Sequence, residues 1–220
     1  MNLAALISGG KDSLYAMHLA QKQGHEIKYI VSVHSENPES YMFHHPNHEL
    51  VSKQAEIMKI PLIKCKTMGI KEHELEDLEK CLSKLDIDGV VTGAVASNYQ
   101  KQRIDKICDN LNIESIALLW QKNPEELLMS MLQTGFEIII VNVAAEGLTK
   151  EWLGRKLDFD CIRDLRNLNE KHGVSMVGEG GEYETFVLNA PMFRQSLKVI
   201  SQQVFWDNKT RSGWMKIDVE

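Results

Sequence analysis

Cysteine is scarce and scattered in this 220-residue chain: Cys65, Cys81, Cys108 and Cys161 include no pair at short spacing. Zinc-binding and thioredoxin-like spacings are thereby absent, and a disulfide framework is not expected in so long a chain. The cysteine usage reads as that of a reducing, cytoplasmic compartment. No apolar run approaches the roughly 18 residues of a membrane helix, and the N-terminal MNLAALISGGKDS has neither a basic leader nor a cleavage site. Membrane spanning and secretion are not expected. Basic residues are in deficit, with Lys+Arg 25 against Asp+Glu 31 and a net charge of −6, which disfavours a grip on nucleic acid through counterion release. With 14 glycines and 5 prolines, and with 43% hydrophobic and 25% charged residues, disordered, collagen and coiled-coil classes drop out. No repeat, low-complexity tract or Gly/Ser/Pro linker is present. An ordinary globular protein of one large or two small domains remains.

What is present is a rhythm. Residues 3–7 form an apolar run that stops at Ser8-Gly9-Gly10, after which Leu14, Met17 and Ala20 recur at helical spacing until Gly24. Strand, glycine turn and helix follow one another. Further strands are expected at residues 27–33, 62–65, 89–92 and 115–119, with helices at 48–58, 71–85 and 100–111. Buried-looking strands alternating with amphipathic helices imply an α/β fold, a doubly wound five-stranded parallel sheet, over residues 1–120. Beyond Trp120 the rhythm changes. A helix at 124–133, a strand at 137–143, a helix at 161–171 and strands at 185–188, 197–205 and 214–219 imply a smaller α+β domain over 121–220 with hairpin pairing at its end.

Ser8-Gly9-Gly10-Lys11-Asp12-Ser13 lies at the carboxyl end of the first strand, the edge where such sheets bind ligands. Two glycines let the backbone present several N–H groups, the serines add hydroxyls, Lys11 adds a charge, and the helix contributes its positive end. An anion cradle is the functional reading; a bare turn with an Asp12-Ser13 helix cap is the plainer one. The spacing fits neither the Walker loop nor the dinucleotide fingerprint. A second segment, Gly178-Glu179-Gly180-Gly181-Glu182-Tyr183-Glu184-Thr185, packs three glycines and three carboxylates into eight residues. Such a stretch is costly in backbone entropy and charge repulsion unless a ligand, a metal or a basic partner is present, the alternative being a flexible acidic hairpin loop. The carboxylates could orient an ammonium, hold Mg2+ or face a cationic substrate.

The hexamer SGGKDS resembles the pyrophosphate-binding loop of the ATP pyrophosphatases, an adenylating superfamily. Taken with AALISGGKDS (4–13), SYMFHH (40–45), GAVASNYQKQR (93–103), LLWQ (118–121), VAAEGL (143–148), Leu153-Gly154 and GEGGEYETFVLNAP (178–191), the chain resembles the diphthine–ammonia ligase family over almost its whole length. Its compact length looks like the archaeal form. The resemblance implies a fold of the adenine-nucleotide α-hydrolase type and an ATP-dependent amidation. The carboxylate of diphthine on translation elongation factor 2 would attack the α-phosphorus of ATP, giving an acyl-adenylate and pyrophosphate. Ammonium would supply the nitrogen that displaces AMP.

It further implies that Ser8, Gly9, Gly10, Lys11, Asp12 and Ser13 hold the polyphosphate, with Lys11 neutralising charge and Asp12 assisting through Mg2+. Ser32 and His34 would lie where such folds receive adenine and ribose, and Gly93, Ala94, Ser97, Tyr99, Gln100 and Arg103 on the same face. Arg103 could equally cap or pair on its helix. Glu182 and Glu184 would be catalytic, and Glu179, Gly180, Gly181 and Tyr183 would line the acceptor site with Tyr41 and Trp120. An aromatic or acidic lining suits a quaternary ammonium group; Trp120 could instead be interdomain core. His44, His45 and His48 could form a metal site, a closing loop or ordinary packing. The alternatives are an adenylating RNA-modification enzyme, disfavoured by the net charge and scattered cysteines, and a non-catalytic nucleotide-binding module. The oligomeric state stays open, a homodimer included.

Overall fold

The computed structural model describes residues 1–35, 47–68 and 73–220. Continuously apolar segments make the strands of the first sheet: β1 (Asn2–Leu6), β2 (Glu26–Ser35), β3 (Leu62–Thr67), β4 (Gly89–Val91) and β5 (Glu114–Ile116). All pair in parallel, in the order β3-β2-β1-β4-β5. Helices α1 (Lys11–Lys22), α2 (Val51–Met58), α3 (His73–Leu82) and α4 (Asn98–Leu111) provide the crossovers. This is the expected doubly wound five-stranded sheet. Its order reverses between β1 and β4, and a reversal of that kind opens a crevice at the carboxyl ends of the strands. One core layer joins Ala4, Val31, Cys65 and Val90 of the strands to Leu78 and Leu82 of α3 and Ile104, Ile107 and Cys108 of α4. Burying these side chains supplies the main driving force, about 25 cal/mol per Å² of apolar surface.

Several bounds differ from expectation for local reasons. The segment expected as a helix at 48–58 opens as a 3-10 turn, His48–Leu50, before α2 begins. The last strand of this sheet is shorter than 115–119, because residues 118–120 form a turn in which Trp120 N–H donates to Ala117 O at 3.2 Å. The expectation that no disulfide forms is corrected for one pair. Cys65 on β3 and Cys81 on α3 are 16 residues apart in sequence, but α3 folds back onto β3 and brings their Cα atoms to 6.1 Å, and the two are bonded. Cys108 and Cys161 are free and buried.

The second sheet is antiparallel, in the order β7-β6-β9-β8, formed by β6 (Glu137–Val143), β7 (Tyr183–Asn189), β8 (Val199–Asp207) and β9 (Ser212–Val219). β6 is the central apolar strand, with Ile138, Ile139, Ile140 and Val141 buried. β9 alternates buried and exposed residues, so its exposed face carries Trp214, Lys216 and Asp218. Helix α5 (Pro124–Gln133) starts where Asn123 Oδ1 accepts from the Glu125 and Glu126 N–H groups, with Pro124 in the first turn. Helix α6 (Phe159–His172) starts where Asp158 accepts from Cys161 N–H at 2.8 Å and ends at Gly173, whose φ of +69° needs no Cβ to be accommodated. By their contacts the residues divide into two units: Met1–Ser8 with Asp12–Trp120, and Gly9–Lys11 with Gln121–Glu220. The assignment of Gly9–Lys11, three residues from the middle of the glycine turn, had no signal in composition. Among the described residues, no helix is long and apolar enough to cross a membrane.

Candidate active site

Ser8 and residues 12–13 of the glycine turn belong to the first unit, between β1 and α1. Ser8 N–H donates to Ser13 Oγ at 3.3 Å, and the two hydroxyl oxygens are also 3.3 Å apart, so the serines close the two ends of the turn on each other. Asp12 is acidic in the first turn of α1, where the helix end is positive. Gly93, just past β4, explains how near the neighbouring loop comes. A Cβ built there would meet Ser13 N at 2.5 Å, Asp12 C at 2.7 Å and Ser13 Cα at 2.8 Å, all backbone atoms that cannot rotate aside. The start of α1 and the loop after β4 thus meet at the point where the strand order reverses, on the residues expected from the sequence. Ala94 beside Gly93 is buried.

Ser32 and His34 sit on one face of β2 near its carboxyl end; Ser32 is buried and His34 is half-buried, in register with Lys66 of β3. Ser97 caps α4, its hydroxyl accepting from Gln100 N–H at 3.3 Å. Tyr99 and Arg103, one helical turn apart, stack with the guanidinium carbon 3.4 Å from the ring centroid, and Arg103 Nη1 donates to the Tyr99 carbonyl at 3.4 Å. A cation held flat on an aromatic ring is oriented before any anion arrives. Trp120 meets a cation of the chain itself, Lys101 Nζ at 5.6 Å from a ring centroid. Lys101 in turn pairs with Asp105 at 2.5 Å, and Ser115 Oγ donates to the same carboxylate at 2.6 Å. Burial alone would raise the Asp105 pKa, but the hydrogen bonds from Lys101 and Ser115 and the Lys101 charge override it and lower the pKa. Tyr41, His44 and His45 lie outside the described residues.

In the second unit, Lys11 is 2% exposed. Its ammonium donates to Val177 O at 2.6 Å and stands 5.2 Å from the Tyr183 ring centroid, while its N–H donates to Thr185 Oγ1 at 3.1 Å. Lys11 is therefore brought together with the glycine-rich acidic segment, and Thr185 is a partner that sequence reasoning missed, although it ends the motif quoted for that segment. The segment also has internal supports. Glu182 accepts from Gly180 N–H at 2.8 Å and from Ser175 N–H at 3.2 Å, one bond to each carboxylate oxygen. Glu179 N–H donates to Ser175 Oγ at 3.3 Å, and Tyr183 Oη donates to Met176 O at 2.5 Å. Gly178 has φ +70°, and a Cβ there would fall 2.5 Å from Tyr183 O; Gly181 has φ +82°. The glycines and one carboxylate thus have a local explanation, a tight turn tied to its own side chain. Glu184 lies on β7 opposite Asn142 of β6 and is half-buried.

Among the described residues, no three His, Cys, Asp or Glu side chains converge into a metal cage. Mg2+ in phosphoryl-transfer chemistry is commonly held by one or two carboxylates together with substrate phosphates, and Asp12 is a carboxylate of that kind at the glycine turn.

Comparison with known proteins identifies the family of the chain. Residues 1–115 match the diphthamide synthase N-terminal domain and residues 123–219 the diphthamide synthase C-terminal domain. The diphthine–ammonia ligase of Bos taurus is 37% identical over 227 residues, covering 93% of this chain and 85% of that protein. That of Rattus norvegicus is 38% identical over 222 residues, covering 90% and 83%. The diphthine–ammonia ligase of Schizosaccharomyces pombe is 32% identical and is covered over only 39% of its length, against 99% of this chain. These relatives are eukaryotic, so the likeness of length to an archaeal form gains no support from them. Among solved structures, a predicted subunit of tRNA methyltransferase from Methanocaldococcus jannaschii overlays with a TM-score of 0.46 at 18% identity, covering 87% of this chain and 98% of that one. Matched along both of its units, and at 37% identity to a relative that it covers over 85% of its length, the chain belongs to the diphthamide synthase family.

Proposed function

We propose that the chain amidates the diphthine side chain of translation elongation factor 2, using ATP and ammonia. The observation that carries this reading, beyond family membership, is the turn from Ser8 to Ser13: it stands at the carboxyl end of β1, beside the strand-order reversal, with Gly93 allowing close approach from β4. A carboxylate is a poor electrophile because its oxygen is a poor leaving group, so amidation needs activation. In the proposed reaction a carboxylate oxygen of diphthine attacks the α-phosphorus, the bond to the bridging oxygen between α and β breaks, and pyrophosphate leaves. The nitrogen of ammonia then attacks the acyl carbon, the carbon–oxygen bond to AMP breaks, and a proton is released.

Ser8, Gly9, Gly10, Asp12 and Ser13 would bind the polyphosphate, with the positive end of α1 facing it. Lys11 would offset the charge of the leaving pyrophosphate, for which its ammonium must exchange the Val177 carbonyl for a phosphate oxygen. Asp12 would hold Mg2+, which supplies further positive charge to the phosphates when bound. Arg103, flat on Tyr99, presents a forked donor suited to phosphate or carboxylate. Ser32 and His34 would lie toward the nucleoside. Glu184 and the turn organised by Glu182 would receive the acceptor, whose trimethylammonium group suits an acidic and aromatic lining. Product analysis tests the chemistry. AMP, pyrophosphate and amide in equal amounts support the adenylate route, whereas ADP and orthophosphate would show an acyl-phosphate route and remove it.

A further inference from the structure

Gly9–Lys11 lies along β7, and among the described residues β7 is an edge strand with β6 as its one strand neighbour. Val187 N–H donates to Gly9 O at 3.1 Å, and two residues earlier on the same strand Thr185 Oγ1 accepts from Lys11 N–H at 3.1 Å. An edge strand carries a row of backbone groups that β pairing does not satisfy, and here the glycine turn takes up part of that row. Two consecutive glycines are the most conformationally free stretch a chain can offer, so a turn built on them has most to lose on closing around a phosphate. Bonds made beforehand reduce that loss.

We propose that Thr185 is a positioning residue for the phosphate-binding turn: its hydroxyl takes the Lys11 N–H and, with Val187 N–H on Gly9 O, pins Gly9–Lys11 to β7 before nucleotide arrives. The proposal rests on the ATP reading above and deepens it, because it ties the end of the acidic motif to nucleotide handling rather than to the acceptor alone. While the Thr185 bond holds, Lys11 N–H is not among the groups offered to a phosphate. Lys11 then enters the site through its ammonium, which moves from Val177 O, while its backbone stays anchored.

The test compares the full-length wild type, Thr185→Val, which keeps the shape and loses the hydroxyl, and Thr185→Ser, which restores it. Hydrogen exchange of a peptide covering residues 8–13 is followed without nucleotide, with peptides from β6 reporting that the fold is intact. Binding of ATP with Mg2+ is titrated in parallel. For Thr185→Val, exchange in the turn rises roughly three- to tenfold and ATP affinity weakens by a similar factor, the scale of one hydrogen bond. Its KM for ATP rises more than kcat falls, and Thr185→Ser recovers most of each change. Unchanged exchange in Thr185→Val, or a Thr185→Ser variant no better than Thr185→Val, would overturn the proposal. If the wild type itself bound no ATP, the ATP reading would fail, while the exchange experiment would still decide whether Thr185 pins the turn.

Discussion

Glu182 and Gly93 show how a catalytic reading and a structural one are to be weighed at a single residue. Glu182 was legible as a functional carboxylate because acidic side chains among glycines look wasteful; the structure shows its oxygens accepting from Gly180 and Ser175 N–H groups. In Glu182→Gln an amide NH2 would face one of those N–H groups. Charge-assisted bonds contribute about 1.5–3 kcal/mol, so single-turnover amidation at saturating ATP should fall by roughly one to two decades, with ATP affinity changed far less. ATP affinity lost in the same proportion would place Glu182 at the nucleotide instead. Gly93 is the complementary case, where the absence of a side chain does the positioning. Gly93→Ala would set a methyl 2.5 Å from Ser13 N, forcing the loop after β4 away from the start of α1. A stability loss of about 1–3 kcal/mol in urea denaturation and a raised KM for ATP are expected. Unchanged values for both would mean that the close approach is unimportant.

At the scale of elements, helices and strands with a strong pattern were readable: α5 and β6 fall on the expected residues, because Pro124 can start a helix and EIIIVNV is the strongest β run of the chain. The hairpin of β8 and β9 was readable from consecutive strand patterns. What escaped was set by tertiary approach. Nothing in a 16-residue spacing announces that Cys65 of β3 meets Cys81 of α3, and nothing local to SGGKDS announces that Thr185 receives Lys11 N–H across 174 residues. The disulfide is directly testable. Denatured without reductant, the protein should take up alkylating reagent at Cys108 and Cys161 only, and at all four cysteines after reduction. Four modified cysteines without reductant would contradict the pairing.

For the whole molecule, buried ionisable groups define a pH window of stability. Burial, with Asp105 adding to it, pushes the Cys108 thiol up to about 11, and burial pushes Cys161 to about 11 as well, against 9.0 for an ordinary thiol. Both thiols resist ionisation more when folded, so the stability they contribute is full below about pH 9 and is lost as pH rises toward 11. His18 has the opposite sense: burial, then the charge of Lys22, lower its pKa from 6.5, so stability declines as pH falls below 6.5. The melting temperature should therefore be highest between these limits, with a shallower acid limb in His18→Gln; an unchanged acid limb would remove His18 from the account. The central claim is larger than any of these groups: it is the proposed amidation of diphthine at the expense of ATP. Its most direct test is incubation of the protein with diphthine-bearing elongation factor 2, ATP, Mg2+ and ammonium, followed by intact-mass analysis of the acceptor. The account predicts conversion of the diphthine acid to its amide, dependent on both ATP and ammonium; an acceptor left as the acid while ATP is bound by the protein would contradict it.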